Sequence, residues 1–203
     1  LARCIRDHEV TAMWCTPSAL RMLLEGQVDL GPSLQNVYCG GEALTSAVAR
    51  ASYDSLGIST LWNYYGPTEM CVTQIRTPVL EADMAGTHVH IGSTMPNFDV
   101  AFTDGLGSVQ DVEQIGELVI AGVGEARGYL NMPRRTATSF MPSTISKPGS
   151  RMYATGDLGY WRADGNIEYL GRSDGQIQLR GIRIELGEIE ALLEEVPGVS
   201  QGA

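Results

Sequence analysis

The chain has 203 residues, 43 % of them apolar and 19 % charged, with 24 acidic against 14 basic side chains and a formal net charge of −10. That composition describes an ordinary globular protein of one or two domains with a sizeable core. The acidic balance excludes bulk nucleic-acid binding, which needs a basic footprint, and no run approaches the ~20 apolar residues of a membrane span.

In chain order, "VTAMWC" (10–15) predicts a buried strand. "TPSALRMLLEG" follows as a helix with Thr16 at the N-cap, Pro17 in the first helical position and Gly26 at the end. "LQNVYC" is a second strand running into "GGEALT", "SAVARASYDSL" a second helix, and "ISTLWNY" a third strand that delivers the chain to "YGPTE". Strand–helix–strand alternation predicts a parallel sheet, with ligands bound beyond the carboxyl ends of its strands. Both "GGE" and "YGPTE" sit at such ends.

From His88 the texture changes to short strands divided by Gly and Asp turns, as in an antiparallel meander or small barrel: "HVHIG", "FDVAFTDGLG", "GELVIAG". His88 and His90 alternate on the first of these and form a conceivable metal pair, although no third ligand is near. A short helix starts at Pro133. Two strands flank Asp164-Gly165, a strong hairpin turn. After Arg172 comes the polar joint "SDGQ", then a hairpin "IQLRGIRIEL" and an amphipathic helix "GEIEALLEEV". The pattern divides the chain into a larger unit, 1–172, and the beginning of a smaller one, 173–203. It starts in mid-pattern at Leu1, which reads as part of a longer polypeptide. Cys4, Cys15, Cys39 and Cys71 have neither paired nor zinc-type spacing, as expected of reduced thiols in a cytoplasmic protein.

The common nucleotide signatures are absent: there is no G-x-x-x-x-G-K-[ST], and "GVGEARG" is one residue too long for the dinucleotide fingerprint. From the residues alone the candidates are Thr68 with Glu69, Asp157, Arg172 and the charges of "LRGIRIELGEIE". Read alone, Asp157 is better explained as a turn cap and Glu69 as a solvated surface acid.

Four segments in order, "NYYGPTE", "GELVIAGVGEARGYLNMPRRTATSF", "YATGDL" and "GRSDGQIQLRGIRIELGEIE", preceded by "GGEAL", resemble the adenylation domains of nonribosomal peptide synthetases. The resemblance implies a partial adenylate-forming α/β fold: a parallel sheet, a small barrel-like region, then the start of a mobile α+β subdomain. It also implies ATP-dependent activation of an amino acid to an aminoacyl-adenylate. The acyl group then passes to the phosphopantetheine thiol of a peptidyl carrier domain, with a condensation domain in the parent polypeptide and neither nucleic acid nor membrane as partner. An acyl or aryl acid ligase of the same fold, or a degenerate binding module, are the alternatives.

By the same resemblance, Gly40, Gly41, Glu42, Asn63, Tyr64, Tyr65, Gly66, Thr68, Asp157, Tyr169 and Arg172 belong to the ATP site. Tyr65 would pack on adenine, Asn63 bond its polar edge, Thr68 bond phosphate and Asp157 accept the ribose hydroxyls. Thr68, Glu69, Asp157 and Arg172 are the catalytic set, with Mg²⁺ on Glu69. Asp174 is the hinge, and the hairpin around Arg180-Gly181 enters the site in a second state. Anchoring on Pro17, Gly40-Gly41 and Asn63 to Glu69 puts the amino-acid pocket at Trp14, Val37, Cys39, Tyr64, Val72 and Thr73. None of these carries a charge, which implies a small or medium uncharged substrate. Ala154 and Gln178 stand where the family carries basic residues. The phosphate loop, the aspartate for the substrate amine and the catalytic lysine have no counterpart in these residues.

Overall fold

The computed structural model describes residues 1–105, 107–174, 176–179 and 182–186, with 189, 192, 193 and 196 beyond them. Three parallel strands begin the first sheet: β1 (Ala12–Cys15), β2 (Asn36–Gly40) and β3 (Thr60–Tyr65). A short helix α1 (Ala2–Asp7) precedes them, and α2 (Pro17–Glu25) and α3 (Ser46–Leu56) are the crossovers. Both crossover helices are nucleated as their sequences require. Thr16 and Thr45 are extended N-caps whose hydroxyls accept from Ala19 N at 3.2 Å and Val48 N at 3.3 Å, and Pro17 opens α2 at a position that needs no N–H.

The helices cover one face of this sheet, burying Leu20, Leu23, Val48 and Ala49 against Val37, Cys39 and Leu61. Each fully buried aliphatic side chain is worth about 1.5–3 kcal/mol relative to exposure. Strand side chains alternate between faces, so Trp14, Tyr38, Trp62 and Tyr64 lie on the opposite face. β1 is shorter than the expected 10–15 strand and lies at the sheet edge, with Trp14 52 % exposed rather than buried.

The parallel pattern ends at β3. The next strand, β4 (Ile75–Pro78), returns antiparallel, and β5 (Ser93–Thr94) continues it, giving the order β1-β2-β3-β4-β5. The link from Tyr65 to Ile75 holds only a 3₁₀ turn, too short for the crossover a parallel return needs.

The second sheet is antiparallel, as expected. Its order is β10 (Ile167–Arg172), β9 (Arg151–Trp161), β7 (Gly116–Gly122), β6 (Phe98–Thr103), with β8 (Phe140–Pro142) alongside β9 after the helix α4 (Pro133–Ser139). One face packs toward the first sheet through Met70, Ile75, Ile91, Phe102, Ile120 and Ile167. The other carries Ala101, Val119, Ala121 and Met152.

"HVHIG" is not a strand. It makes only isolated bridges, Thr45 with His88 and Gly92 with Ile167. Its backbone is divided among partners, with Val89 N donating to Leu44 O and Ile91 N to Ile167 O. β11 (Gln176–Leu179) and β12 (Ile182–Glu185) pair antiparallel as the hairpin pattern predicts. The turn at Arg180-Gly181 and most of the helix expected over 187–196 lie outside the described residues.

The two sheets meet at Gly92. It adopts φ +93°, and a Cβ there would lie 2.2 Å from Arg76 O of β4 while its own carbonyl accepts from Ile167 N of β10 at 2.7 Å. Gly92→Ala combines a left-handed conformation with overpacking and is expected to destabilise the chain by about 2–4 kcal/mol. Urea unfolding measures this, and an unchanged midpoint would show that the seam can relax.

Candidate functional site

A cleft of about 550 Å³ opens where the carboxyl end of β3 faces β9 and β10. Gly41, Glu42, Asn63, Tyr64, Tyr65, Gly66, Thr68, Asp157, Tyr169 and Arg172 all line it. They come from segments more than a hundred residues apart, so the sheets, not the local sequence, assemble the group. Gly40 ends β2 behind the cleft, paired with Tyr64.

Asp157 is the centre of the arrangement. It is 7 % exposed; its Oδ2 accepts a short bond from the Tyr65 hydroxyl, and its Oδ1 accepts from Arg172 Nη1 at 3.1 Å and, more weakly, from Tyr169 OH at 3.4 Å. Burial pushes its carboxyl above the usual aspartate range, and the hydrogen bond from Tyr65 and the charge of Arg172 only partly oppose this. The Tyr65 phenol is held well above its ordinary value, by burial first and then by the Asp157 charge. The rings of Tyr65 and Tyr169 stand 6.0 Å apart, inclined by 43°.

Arg172 is held on several sides. Its Nε and Nη2 grip both oxygens of Asp174 at 2.7 and 2.8 Å, and Nη1 also donates to Thr155 O at 3.1 Å. Burial opposes its charge, but the bond to Asp174 and the Asp157 carboxylate outweigh that and push the guanidinium up, keeping it ionised. Gly156, at φ +75°, leaves room for it, since a Cβ there would lie 2.6 Å from Nη2. The joint is pinned to the same point: Ser173 donates from N and Oγ to Gly156 O at 2.9 and 3.0 Å.

Thr68 and Glu69 follow Pro67 in one 3₁₀ turn and diverge. Thr68 is exposed at the cleft wall, whereas Glu69 is buried outside the lining, accepting from Tyr129 OH at 2.7 Å. Asn63 spends its amide nitrogen on the carbonyls of Val89 and His90, at 3.3 and 3.0 Å. Glu42 turns its carboxylate to Ser18, accepting from N at 2.9 Å and Oγ at 2.6 Å at the start of α2.

The six residues expected at the side-chain pocket do not share one face of the sheet. Val37 and Cys39 are 0 % exposed on the helix-covered face, opposite Trp14 and Tyr64, because adjacent strand positions point to opposite faces. The rings that do meet are Trp14 with Tyr64 at 4.7 Å, Tyr38 with both, and Trp62 with Tyr64 at 6.1 Å, with the Arg76 guanidinium 5.3 Å over Trp62. Val72 and Thr73 fold back against Gly66 in the following turn.

The two histidines also separate. His88 is exposed at the cleft, while His90 is buried with Nε2 3.0 Å from Asp83 Oδ1. Among the described residues no group of three His, Cys, Asp or Glu side chains could hold a metal. The sequence reading missed His88, Leu170 and Gln176 as cleft residues; Gln176 and Gln178, two apart on β11, share a face by strand periodicity and could have been paired. Ala154 lies away from this cleft, lining a second cavity of about 520 Å³ behind β9.

A profile of the AMP-binding enzyme family matches residues 1–130. Phosphinothricin tripeptide synthetase PhsC of Streptomyces viridochromogenes is 42 % identical over 207 residues, covering 98 % of this chain and 18 % of that protein. Among solved structures, holo-PA1221, a nonribosomal peptide synthetase protein with adenylation and carrier domains bound to a vinylsulfonamide inhibitor, is similar at a TM-score of 0.90 and 28 % identity. It covers 98 % of this chain and 35 % of that one. The Vibrio cholerae adenylation domain AlmE, solved with glycyl-adenosine-5'-phosphate, is similar at 0.86 and 27 %, over 98 % and 38 %. The chain therefore spans under a fifth of the synthetase and little over a third of either structure.

The raised carboxyl of Asp157 gives a signed expectation. A group with its folded pKa raised contributes stability below the unfolded value, near 3.8, that is lost as pH rises through the folded value. At neutral pH the ionised side chain is then a net cost. Asp157→Asn should match or exceed the parent in stability at pH 7 and lose that advantage toward pH 4. Chemical denaturation at both pH values checks it; a variant clearly weaker at pH 7 would mean the Arg172 pair outweighs burial.

Proposed function

The chain belongs to the AMP-binding enzyme family, and from that premise we propose that it forms the nucleotide-handling part of an amino-acid-activating adenylation domain. In such a domain a substrate carboxylate attacks the α-phosphate of ATP, giving an aminoacyl-adenylate and pyrophosphate. The acyl group then passes to a phosphopantetheine thiol on a carrier domain. The observation that carries the reading is the cleft itself: Asn63, Tyr65, Thr68, Asp157, Tyr169 and Arg172, picked out on four separate segments, converge on one cavity.

The chemistry asked of these residues is positioning and charge compensation. The Tyr65 and Tyr169 rings offer a stacking surface, worth about 1–3 kcal/mol per base. The Asn63 oxygen accepts from an exocyclic amine. Asp157 accepts a ribose diol, for which the Tyr65 hydroxyl must yield its place. Arg172 supplies the positive charge and Thr68 a hydroxyl to phosphate.

Glu69 and Thr68 are hard oxygen donors of the kind Mg²⁺ takes. With a single carboxylate, the ion they suit is one completed by phosphate and water. When bound, it would neutralise phosphate charge; Glu69, buried beside Tyr129 and off the cleft wall, would have to turn its carboxylate toward the cleft to hold it. The division at 173 and the hinge role of Asp174 belong to the same proposal, supported by the polar joint that separates β10 from β11. A non-catalytic module is favoured by Gln178, neutral in the cleft where the resemblance calls for lysine, and by Ala154, which also replaces a basic residue but lines the second cavity.

In the protein that contains this chain, amino-acid-dependent exchange of labelled pyrophosphate into ATP is expected. Arg172→Ala should lower it about a hundredfold or more, by removal of one charge-stabilising group. Exchange driven by aryl or fatty acids would favour the related ligases, and no exchange with any acid would favour the binding module. The 203-residue chain alone should give none, lacking the phosphate loop and lysine. Asp174→Pro should slow thioester formation more than adenylate formation; equal losses in the two half-reactions would remove Asp174 as the pivot.

A further inference from the structure

Cys15 and Cys39 are direct partners across two adjacent parallel strands, β1 and β2. Side chains of such partners leave the same face, and neighbouring strands stand about 4.8 Å apart. That spacing falls inside the roughly 4.4–6.8 Å that a disulfide bridges between Cα atoms. Cys39 is completely buried and Cys15 partly so, at the end of the edge strand. The other two thiols are exposed and elsewhere, Cys4 on α1 and Cys71 in the turn after Met70. Register continues the row from Cys39 to Asn63 of the cleft and to Thr77.

We propose that Cys15 and Cys39 are a redox-responsive pair that a peroxide converts to a disulfide between the ends of β1 and β2. The two thiols face each other across the strand pair and interact. That contact lowers the Cys15 thiol against the opposing effect of burial; it raises Cys39, and burial raises it further. Cys15 is thus both the more accessible and the more readily ionised of the two, the combination that marks the attacking sulfur.

The chemistry closes without a further reactant. The Cys15 sulfur attacks one peroxide oxygen; the O–O bond breaks, and the departing hydroxide takes the thiol proton and leaves as water. The Cys15 sulfenic acid so formed is attacked by the Cys39 sulfur. The S–O bond breaks, and the second water leaves with the Cys39 proton. Two thiols are oxidised to one disulfide while the peroxide is reduced to two waters. A low-molecular-weight thiol reverses the bond by exchange. This inference does not depend on the adenylation reading.

The test uses the whole chain carrying Cys4→Ser and Cys71→Ser, treated with hydrogen peroxide and digested with trypsin without reduction. Cys15 and Cys39 fall in the separate peptides 7–21 and 22–50. The expected product is those two peptides joined, lighter by two hydrogens than their sum and separated again by dithiothreitol. Most of the protein should remain monomeric. In Cys39→Ala, Cys15 should instead be trapped by dimedone as the sulfenic acid, a result that does not require the linkage to form. Unmodified thiols at peroxide levels that consume free glutathione would overturn the proposal. So would Cys15 sulfinic acid without linkage in the parent, or a bond between chains.

Discussion

One buried hydrogen-bonding side chain fixes how the two sheets face each other. Asp157 sits in β9 of the second sheet, and its oxygens are held by Tyr65 from β3 of the first, Tyr169 from β10 and Arg172 from the end of that strand. A buried charge left without such donors costs several kcal/mol or loses its ionisation. The arrangement therefore constrains how the two sheets approach: if they move apart, the carboxylate loses the Tyr65 hydroxyl. Apolar contacts through Ile75, Ile91 and Ile167 fill the space between the sheets, but they are non-directional and would tolerate sliding that the hydrogen bonds do not.

That geometry explains why the cleft lies where it does. The first sheet delivers the "YGPTE" turn at the carboxyl end of β3, and the second brings an acid and a base on two neighbouring strands in register, Asp157 opposite Arg172. The ring surface is shared between the sheets, Tyr65 from the first and Tyr169 from the second, while the charge pair comes from the second. The similarity to holo-PA1221 and AlmE extends over 98 % of the chain, so the relation between the sheets is shared with those domains and not only the strand order within each.

Much of this was legible in the sequence, and the failures have physical causes. The helices over 17–25 and 46–56 carry their caps, and the Asp164-Gly165 turn carries its own chemistry, so local rules sufficed. The cleft residues came from long motifs, which encode a surface even when their separation in the chain is large. The side-chain pocket positions were anchored on neighbouring motifs, and a motif by itself does not say which face of a strand a residue takes. Val37 and Cys39 fall on the helix-covered face of the sheet and Trp14 and Tyr64 on the aromatic one. "HVHIG" failed differently: its alternation is that of a strand, but its backbone groups find partners in Leu44, Asn63 and Ile167 and leave none for a ladder. The antiparallel return to β4 was hidden because pairing direction follows connection length, which the turn motif obscured.

Arg172 faces two carboxylates, one inside the cleft and one on the joint. While its Nε and Nη2 are engaged by Asp174, the guanidinium and its two acids sum to one negative charge. If the backbone turns at 173–174 and carries Asp174 away, that local sum becomes zero and two N–H donors come free. The side chain is largely shielded from water, so the field it projects into the cleft is weakly screened. A rotation of the backbone is thereby translated into a change of electrostatic potential where an anionic ligand would lie. A polyanion in the cleft would in turn compete with Asp174 for the same donors and bias the joint, a reciprocity that linkage requires.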